Sequence, residues 1–187
     1  PLIVSVMGFE ASELETIIDR LEDEPGIAAL ELNLSCPNVK TGTIVGADAG
    51  ETAELVGALR GRTNKPLIAK LSPANPLPAA VALAAQEAGV DAVSLVNTFP
   101  AMALKPGTNE PWLGATSGGL SGAAIRAVAL AQVYAVCKAV SIPVVGMGGI
   151  ETAQQAREFL GVGATLVAVG TANFADSLAG KRISFGL

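Results

Sequence analysis

The stretch from Asn33 to Asn38 places a thiol between two amides within six residues. An apolar run beginning at Ile27 leads into it and predicts a buried strand. Pro37 biases Cys36 away from helix, so the strand should open into a loop there. Polar groups at the end of a buried strand are costly unless they bind something. We therefore interpret Cys36 as a proton-abstracting thiol; the alternative is a small buried cysteine beside a capping asparagine.

Two glycine sites follow the last two apolar runs of the chain. Gly148 and Gly149 come after one run, and Gly170 and Thr171 come after the next, one helix later. Glycine lets the backbone approach a ligand closely, and clustered N–H groups bind anions. The spacing suits a phosphate; the alternative is that these glycines only form tight turns.

Lys70 and Asn97-Thr98 end two further apolar runs. A lysine at the end of a buried strand needs an anion nearby or must extend to water. Its functional interpretation is that it faces a developing negative charge. With Asn33 and Asn38, Asn97 makes a set of amides suited to a planar ligand of alternating C=O and N–H groups, although each asparagine is also typical of turns and caps.

Composition excludes several classes of function. The net charge is −5 and the sequence contains no histidine. Nucleic acid and anionic membrane surfaces are poor partners for such a chain. Without histidine, His-based triads are excluded and a catalytic zinc site is improbable, so we expect no metal site. The two cysteines, Cys36 and Cys137, fit free thiols in a cytoplasmic protein.

Strand and helix patterns alternate six times along the chain, and the apolar strands look buried on both faces. The Phe99 to Gly122 stretch is predicted to be a long loop, of the kind that is usually functional or mobile. Cys137 falls inside a predicted helix and is interpreted as structural. The predicted strands are 1–7, 27–33, 65–71, 91–96, 142–147 and 164–169, and the predicted helices are 11–21, 51–59, 79–88, 123–140 and 152–159.

Two folds fit this pattern: a doubly wound sheet, or part of an eight-fold β/α barrel. The barrel is preferred because the polar residues fall just past strand ends, on one rim. Six of the eight β/α units are present, within a single domain over 1–187. An open sheet of this kind exposes two edges, which predicts association into a homo-oligomer or heteromer.

Six motifs together resemble the dihydroorotate dehydrogenase family, over essentially the whole chain. The Ser-Cys-Pro-Asn block is the specific part, and the glycine pairs alone are not. Cys36, where other members carry Ser, resembles the class 1 enzymes. The motifs are Asn33–Lys40, Ala69–Pro73, Val96–Thr98, Gly118–Gly122, Gly146–Ile150 and Val169–Phe174.

The resemblance implies a TIM barrel that binds FMN and oxidises dihydroorotate to orotate in pyrimidine biosynthesis. Cys36 would remove the C5 proton, and hydride would leave C6 for N5 of FMN. Asn33, Asn38, Asn97 and Thr98 would hold the pyrimidine. The flavin would contact Asn33, and Lys70 would lie at its N1–O2 edge. Ser5, Val96 and Gly122 would line the flavin. Its phosphate would be bound by Gly148, Gly149, Gly170 and Thr171.

The resemblance also implies a partner and a longer chain. Val39-Lys40 and the Gly118–Gly122 block resemble the NAD-linked class 1B branch, whose catalytic subunit works with an iron–sulfur FAD electron-transfer subunit. The family places two further strands before Pro1, including one that leads to a substrate-binding lysine. A loop from Val39 to Ala49 would serve as a lid over the thiol.

Two other functions remain open at this point. One is a phosphate-binding β/α-barrel protein of other chemistry, such as an isomerase or lyase, that keeps the glycine pairs. The other is an inactive remnant that binds only a partner. Flavin absorbance separates the first of these from a flavoenzyme.

Overall fold

The apolar runs form one parallel sheet of six strands, accompanied by a short hairpin. The computed structural model describes residues 1–34, 46 and 48–187. The strands in chain order are β1 (Leu2–Val6), β2 (Ile27–Asn33), β3 (Leu67–Lys70), β4 (Ala92–Leu95), β5 (Phe99–Ala101), β6 (Gly118–Leu120), β7 (Val144–Met147) and β8 (Leu166–Ala168).

The order of strands in the sheet decides between the two folds that the sequence left open. The order is β1-β2-β3-β4-β7-β8, and every neighbouring pair is parallel. A doubly wound sheet reverses its strand order at a switch point. Here each strand of the sheet pairs with the sheet strand that follows it in the chain, and the order never reverses. This is the arrangement of a barrel wall. The expectation of a partial TIM barrel is confirmed.

Helices cover one face of the sheet, and the first five each pack beside the next. Local signals explain where several of them begin: Asp48 accepts a hydrogen bond from the Glu51 N–H at 2.8 Å, Pro78 is the first residue of its helix, and Thr152 forms a capping box. They are α1 (Ala11–Glu22), α2 (Ala49–Arg60), α3 (Pro78–Glu87), α4 (Arg126–Ala139), α5 (Ala153–Gly161), α6 (Ala172–Ala175) and α7 (Ala179–Phe185).

The core lies between the sheet and this helical layer. Alternate strand residues such as Leu30, Leu32, Val93 and Leu95 are fully or almost fully buried. They meet the apolar helix faces, including the small side chain of Ala129. Burial of apolar area on this face is the main driving force for the fold. Among the described residues, no helix is long and apolar enough to span a membrane.

Two local expectations were wrong. The stretch 99–122 contains the antiparallel hairpin of β5 and β6, not a structureless loop. The helix expected from Ala123 begins with a 3-10 turn over Ala123–Ile125, and the α-helix itself begins at Arg126. The end of the chain, for which the sequence makes no prediction, forms α6 and α7.

Candidate functional site

The second face of the sheet carries polar side chains, because strand residues alternate between faces. A cavity of about 410 Å³ opens there, near the carboxyl ends of β3, β4, β7 and β8. Its size falls within the range typical of small-molecule sites. Nine of the residues that the sequence predicts for the site line it: Lys70, Val96, Asn97, Thr98, Gly122, Gly148, Gly149, Gly170 and Thr171.

Glycine is required where the β7 loop meets the end of the hairpin. Gly149 has a φ of 68°, and a Cβ built on it would lie 2.6 Å from the carbonyl oxygen of Gly122. No side chain fits that space, so the two backbones touch. The Thr171 hydroxyl donates a hydrogen bond of 2.9 Å to the Ser121 hydroxyl, which joins the β8 loop to the same corner.

Gly170 differs from Gly149 in what surrounds it. A Cβ built on Gly170 would meet no atom within 4 Å, and its φ is not in the left-handed region. Gly170 nevertheless lines the cavity. Gly170 therefore has open space where a side chain would be, and no neighbouring atom requires glycine at this position. A substitution here can test ligand binding without a clash inside the protein.

Two amides from neighbouring parts of the rim are bonded to each other. Asn97 Nδ2 donates to Asn33 Oδ1 at 3.0 Å, and Asn97 Oδ1 accepts from the Thr98 N–H at 2.8 Å. These bonds fix the orientation of the Asn97 amide. Asn33 is the last residue of β2 and supports the rim through Asn97, although it is not among the cavity-lining residues.

The hairpin lies directly against Thr98, the residue that follows Asn97. A Cβ built on Gly119 would lie 2.1 Å from Thr98 Oγ1, so only glycine lets β6 approach Thr98 as it does. The hairpin also contributes Ser121 and Gly122, which follow β6, to the cavity wall. The stretch from Phe99 to Gly122, which the sequence predicts to be a long loop, thus forms one side of the site.

Lys70 meets an anion that sequence reasoning missed. Its Nζ lies 3.7 Å from Glu31 Oε1, and Ser94 Oγ donates to Glu31 Oε2 at 2.8 Å. A signal for Glu31 exists in the sequence: it is a charged residue within an apolar strand, two positions before Asn33 and so on the same face. The expectation that polar groups stand only beyond strand ends was wrong for Glu31 and Ser94.

Of the three remaining predicted site residues, one lies outside the cavity lining and two fall outside the described residues. Ser5 is exposed on β1, where it pairs in register with Glu31, and it is not among the cavity-lining residues. Cys36 and Asn38 fall in 35–45, outside the described residues, as do Lys40 and most of the predicted lid. Their roles stay predictions.

Cys137 lies on α4, away from the cavity lining. A Cβ built on Gly163 would come within 3.0 Å of Cys137 Cβ, so the cysteine packs against the turn before β8. Burial raises the pKa of the Cys137 thiol above its ordinary value. A thiol in this setting stays protonated at neutral pH and is a poor base.

No group of three or more potential metal-ligating carboxylate or thiol side chains comes together within the part of the chain that the structure describes. The carboxylate nearest the cavity, Glu31, is engaged by Lys70 and Ser94. The arrangement instead offers one ammonium group, oriented amides and close-approach backbone to a ligand.

Comparison with known proteins gives a family match over the whole sequence. The family model described as dihydroorotate dehydrogenase matches residues 1–187. The chain is 47% identical over 188 residues to the dihydroorotate dehydrogenase B (NAD(+)) catalytic subunit of Desulforudis audaxviator, and 46% identical to that of Geotalea daltonii. All of this chain is covered in both matches, but it spans only 61% and 62% of the two relatives.

A solved structure resembles this fold. It is the dihydroorotate dehydrogenase of Eimeria tenella in complex with ferulenol, with a TM-score of 0.75 and 20% sequence identity. The match covers 94% of this chain and 52% of that one. At this identity the likeness supports the fold, and it agrees with the strand order described above.

Proposed function

The chain belongs to the dihydroorotate dehydrogenase family, and we propose that it carries the FMN site and much of the pyrimidine site of an enzyme that oxidises dihydroorotate to orotate. The observation that carries this proposal is the cavity that Lys70, the Asn97 amide and the glycine loops line together. A cation, oriented amides and exposed backbone are the groups needed for an anionic cofactor and a planar polar substrate.

The residues present fit FMN. The loops at Gly148-Gly149 and Gly170-Thr171 would hold the phosphate, since backbone can approach it there and the Gly170 position leaves room. Val96 and Gly122 would line the flavin, and Lys70 would face its N1–O2 edge. When bound, FMN accepts the hydride that leaves C6 of the substrate.

The substrate side rests on amides and on the thiol. Asn97, fixed by its bonds to Asn33 and to the Thr98 N–H, would present defined donor and acceptor atoms to the pyrimidine. Asn38 would add a further amide. Cys36 would take the C5 proton as general base, a role supported by its Ser-Cys-Pro-Asn motif.

A separate subunit would carry the electrons onward. The two relatives described above are named catalytic subunits of an NAD(+)-linked enzyme, which suggests a second, electron-transferring chain. We propose that this partner holds FAD and an iron–sulfur centre, that the chain assembles with it or with further copies of itself, and that the complex works in the cytoplasm in pyrimidine biosynthesis.

The test uses Gly170→Asp in the complete polypeptide, with Gly170→Asn as the matched control. Aspartate places an anion against a phosphate, whereas asparagine has nearly the same size and no charge. We expect the aspartate variant to lose FMN and the asparagine variant to retain much more, measured as flavin released per protein after purification. Because the position has room, both variants should fold as the wild type does.

The result that contradicts the assignment is unchanged flavin content in Gly170→Asp. Flavin released as FAD instead of FMN would contradict it as well. A colourless wild-type protein that binds another phosphate compound at these glycines would favour a β/α-barrel enzyme of different chemistry.

A further inference from the structure

Glu31 occupies an unusual position for a carboxylate. It lies in the middle of β2, on the face that lines the cavity, and its side chain is only 13% exposed. Ser94, which is fully buried, donates its hydroxyl hydrogen to Oε2. The other oxygen, Oε1, is thereby left facing Lys70, whose side chain is 21% exposed.

The pair determines the charge of the cavity wall. Among the described residues that line the cavity, Glu31 and Lys70 are the charged ones. Lysine alone would give this wall a net positive charge, and the carboxylate cancels it. At 3.7 Å from Nζ, the carboxylate also restrains the position of the ammonium group.

Stability is a poor explanation for this arrangement. A buried ion pair loses about as much by desolvation as it gains by attraction, and apolar replacements of both partners are often neutral or stabilising. A serine hydroxyl dedicated to orienting the carboxylate adds to what must be desolvated. The arrangement is better explained by the ligand that the cavity receives.

We propose that Glu31 is a positioning residue that acts through Lys70: anchored by Ser94, it holds the ammonium group at the cavity wall and offsets its charge, and so lowers the reduction potential of the bound flavin. The proposal rests on the flavin site proposed above. It assigns to this chain a means of setting how readily the cofactor takes up electrons.

The sign of the effect follows from charge. Reduction adds negative charge to the flavin, and a nearby cation favours the reduced form while a nearby anion disfavours it. With the carboxylate present, Lys70 attracts that charge less strongly. Removing the carboxylate charge while keeping its shape should therefore raise the potential.

The experiment measures the midpoint potential of FMN in the full-length holoprotein by spectroelectrochemical titration. Glu31→Gln keeps an oxygen to accept from Ser94 and removes the charge. We expect it to favour reduced over oxidised flavin by about tenfold, which is about 30 mV for a two-electron couple. Glu31→Asp keeps the charge and should remain near the wild-type potential. An unchanged potential in Glu31→Gln, in protein that retains FMN, overturns the proposal.

A second comparison tests whether Glu31 acts through Lys70. Lys70→Met removes the ammonium group through which Glu31 is proposed to act. Adding Glu31→Gln to Lys70→Met should then leave the potential unchanged. This comparison does not depend on the folding of the Glu31→Gln single variant. A rise of about 30 mV over Lys70→Met alone would show that Glu31 acts on the flavin independently of Lys70 and overturn the proposal.

The two proposals fail differently. Wild-type protein that never takes up FMN would contradict the proposed function before any potential is measured. Wild-type protein that binds FMN normally, with potentials indifferent to Glu31, would leave the flavin site standing and remove only the role given to Glu31.

Discussion

The two ends of the parallel sheet treat polar groups in opposite ways. At the amino ends of the strands, polar side chains satisfy one another. Arg60 Nη1 lies 2.8 Å from Asp91 Oδ2, and its Nη2 donates to the carbonyl oxygens of Thr63 and Lys65. Lys65 Nζ in turn donates to the carbonyl oxygen of Glu24 at 3.0 Å. This network ties neighbouring loops together and is not part of the lining of the cavity described above.

At the carboxyl ends, polar groups gather around space. Asn97, Lys70 and the glycine loops all border the same cavity, and the bonds they make orient them toward it. Every parallel strand directs its carboxyl end to this side, so residues distant in sequence converge here. Polar composition alone therefore does not identify a binding site. A site requires polar groups that surround an open volume, and not polar groups that are all bonded to one another.

The largest expected effect is on the rate of flavin reduction, and it distinguishes Cys36, predicted to lie at the site, from Cys137, which lies away from the cavity lining. Cys36→Ala, in the complete polypeptide, should slow flavin reduction by dihydroorotate by about 10²–10⁴-fold, as expected for loss of a positioned base. FMN and orotate binding should persist. Stopped-flow measurement of flavin bleaching provides the rate. A wild-type rate in this variant would show that another residue is the base.

Cys137→Ala is the matched control. Because burial raises the pKa of the Cys137 thiol, that group is protonated at working pH, and its removal should leave the rate unchanged with a modest loss of stability. In the wild type, the rate should fall as the pH drops through the Cys36 pKa. Cys36→Ser should keep a little activity with its optimum moved to higher pH, since a hydroxyl is the weaker acid.

An intermediate effect is expected from a substitution at the amino ends of the strands, and it should change only the stability of the fold. Asp91 Oδ2 also accepts from the N–H of Leu67, a residue that is fully buried. Asp91→Ala leaves that N–H without its acceptor, which should cost about 1–3 kcal/mol in the free energy of unfolding. The ion pair to Arg60 adds little, because Asp91 is 54% exposed. Urea unfolding measures the change.

Asp91→Asn keeps an oxygen for the Leu67 N–H and should lose clearly less stability. Flavin content and turnover should be normal in both variants at temperatures where they are folded. If Asp91→Ala lost flavin or turnover while remaining folded, the assignment of stability to the amino ends and of ligand binding to the carboxyl ends would be wrong.

The smallest effect concerns the acid sensitivity of the same network. Hydrogen bonds from the Thr63 hydroxyl and the Asn64 N–H hold the pKa of Glu22 below its ordinary value of 4.5. The folded state therefore favours the carboxylate, and this stabilisation is full above pH 4.5 and is lost as the pH falls through the lowered pKa. Glu22→Gln removes this contribution.

The wild type should thus be slightly more stable than Glu22→Gln near neutral pH, and the difference should shrink on acidification. Urea midpoints for both proteins at several pH values test this. A difference that stayed constant below pH 4.5 would mean that the carboxylate is not what stabilises the network.

The sequence by itself determined the six strands of the parallel sheet, helices α1 to α5 and the candidate site residues. Apolar runs, capping residues and Pro or Gly at element ends act over a few residues, so strands, helices and the glycine positions are readable locally. The same locality places Lys70 at the end of β3 and Asn33 at the end of β2. It also makes the motif around Cys36 recognisable.

Only the tertiary structure decided which of these residues meet. Asn97 bonds Asn33 across 64 residues of chain, and Ser94 bonds Glu31 across 63. These contacts follow from the parallel register, in which Asn33 pairs with Lys70 and Lys70 pairs with Ser94. A shift of one residue would turn each side chain to the opposite face. Strand order and register arise from the packing of the whole sheet against its helices, which no local pattern in the chain specifies.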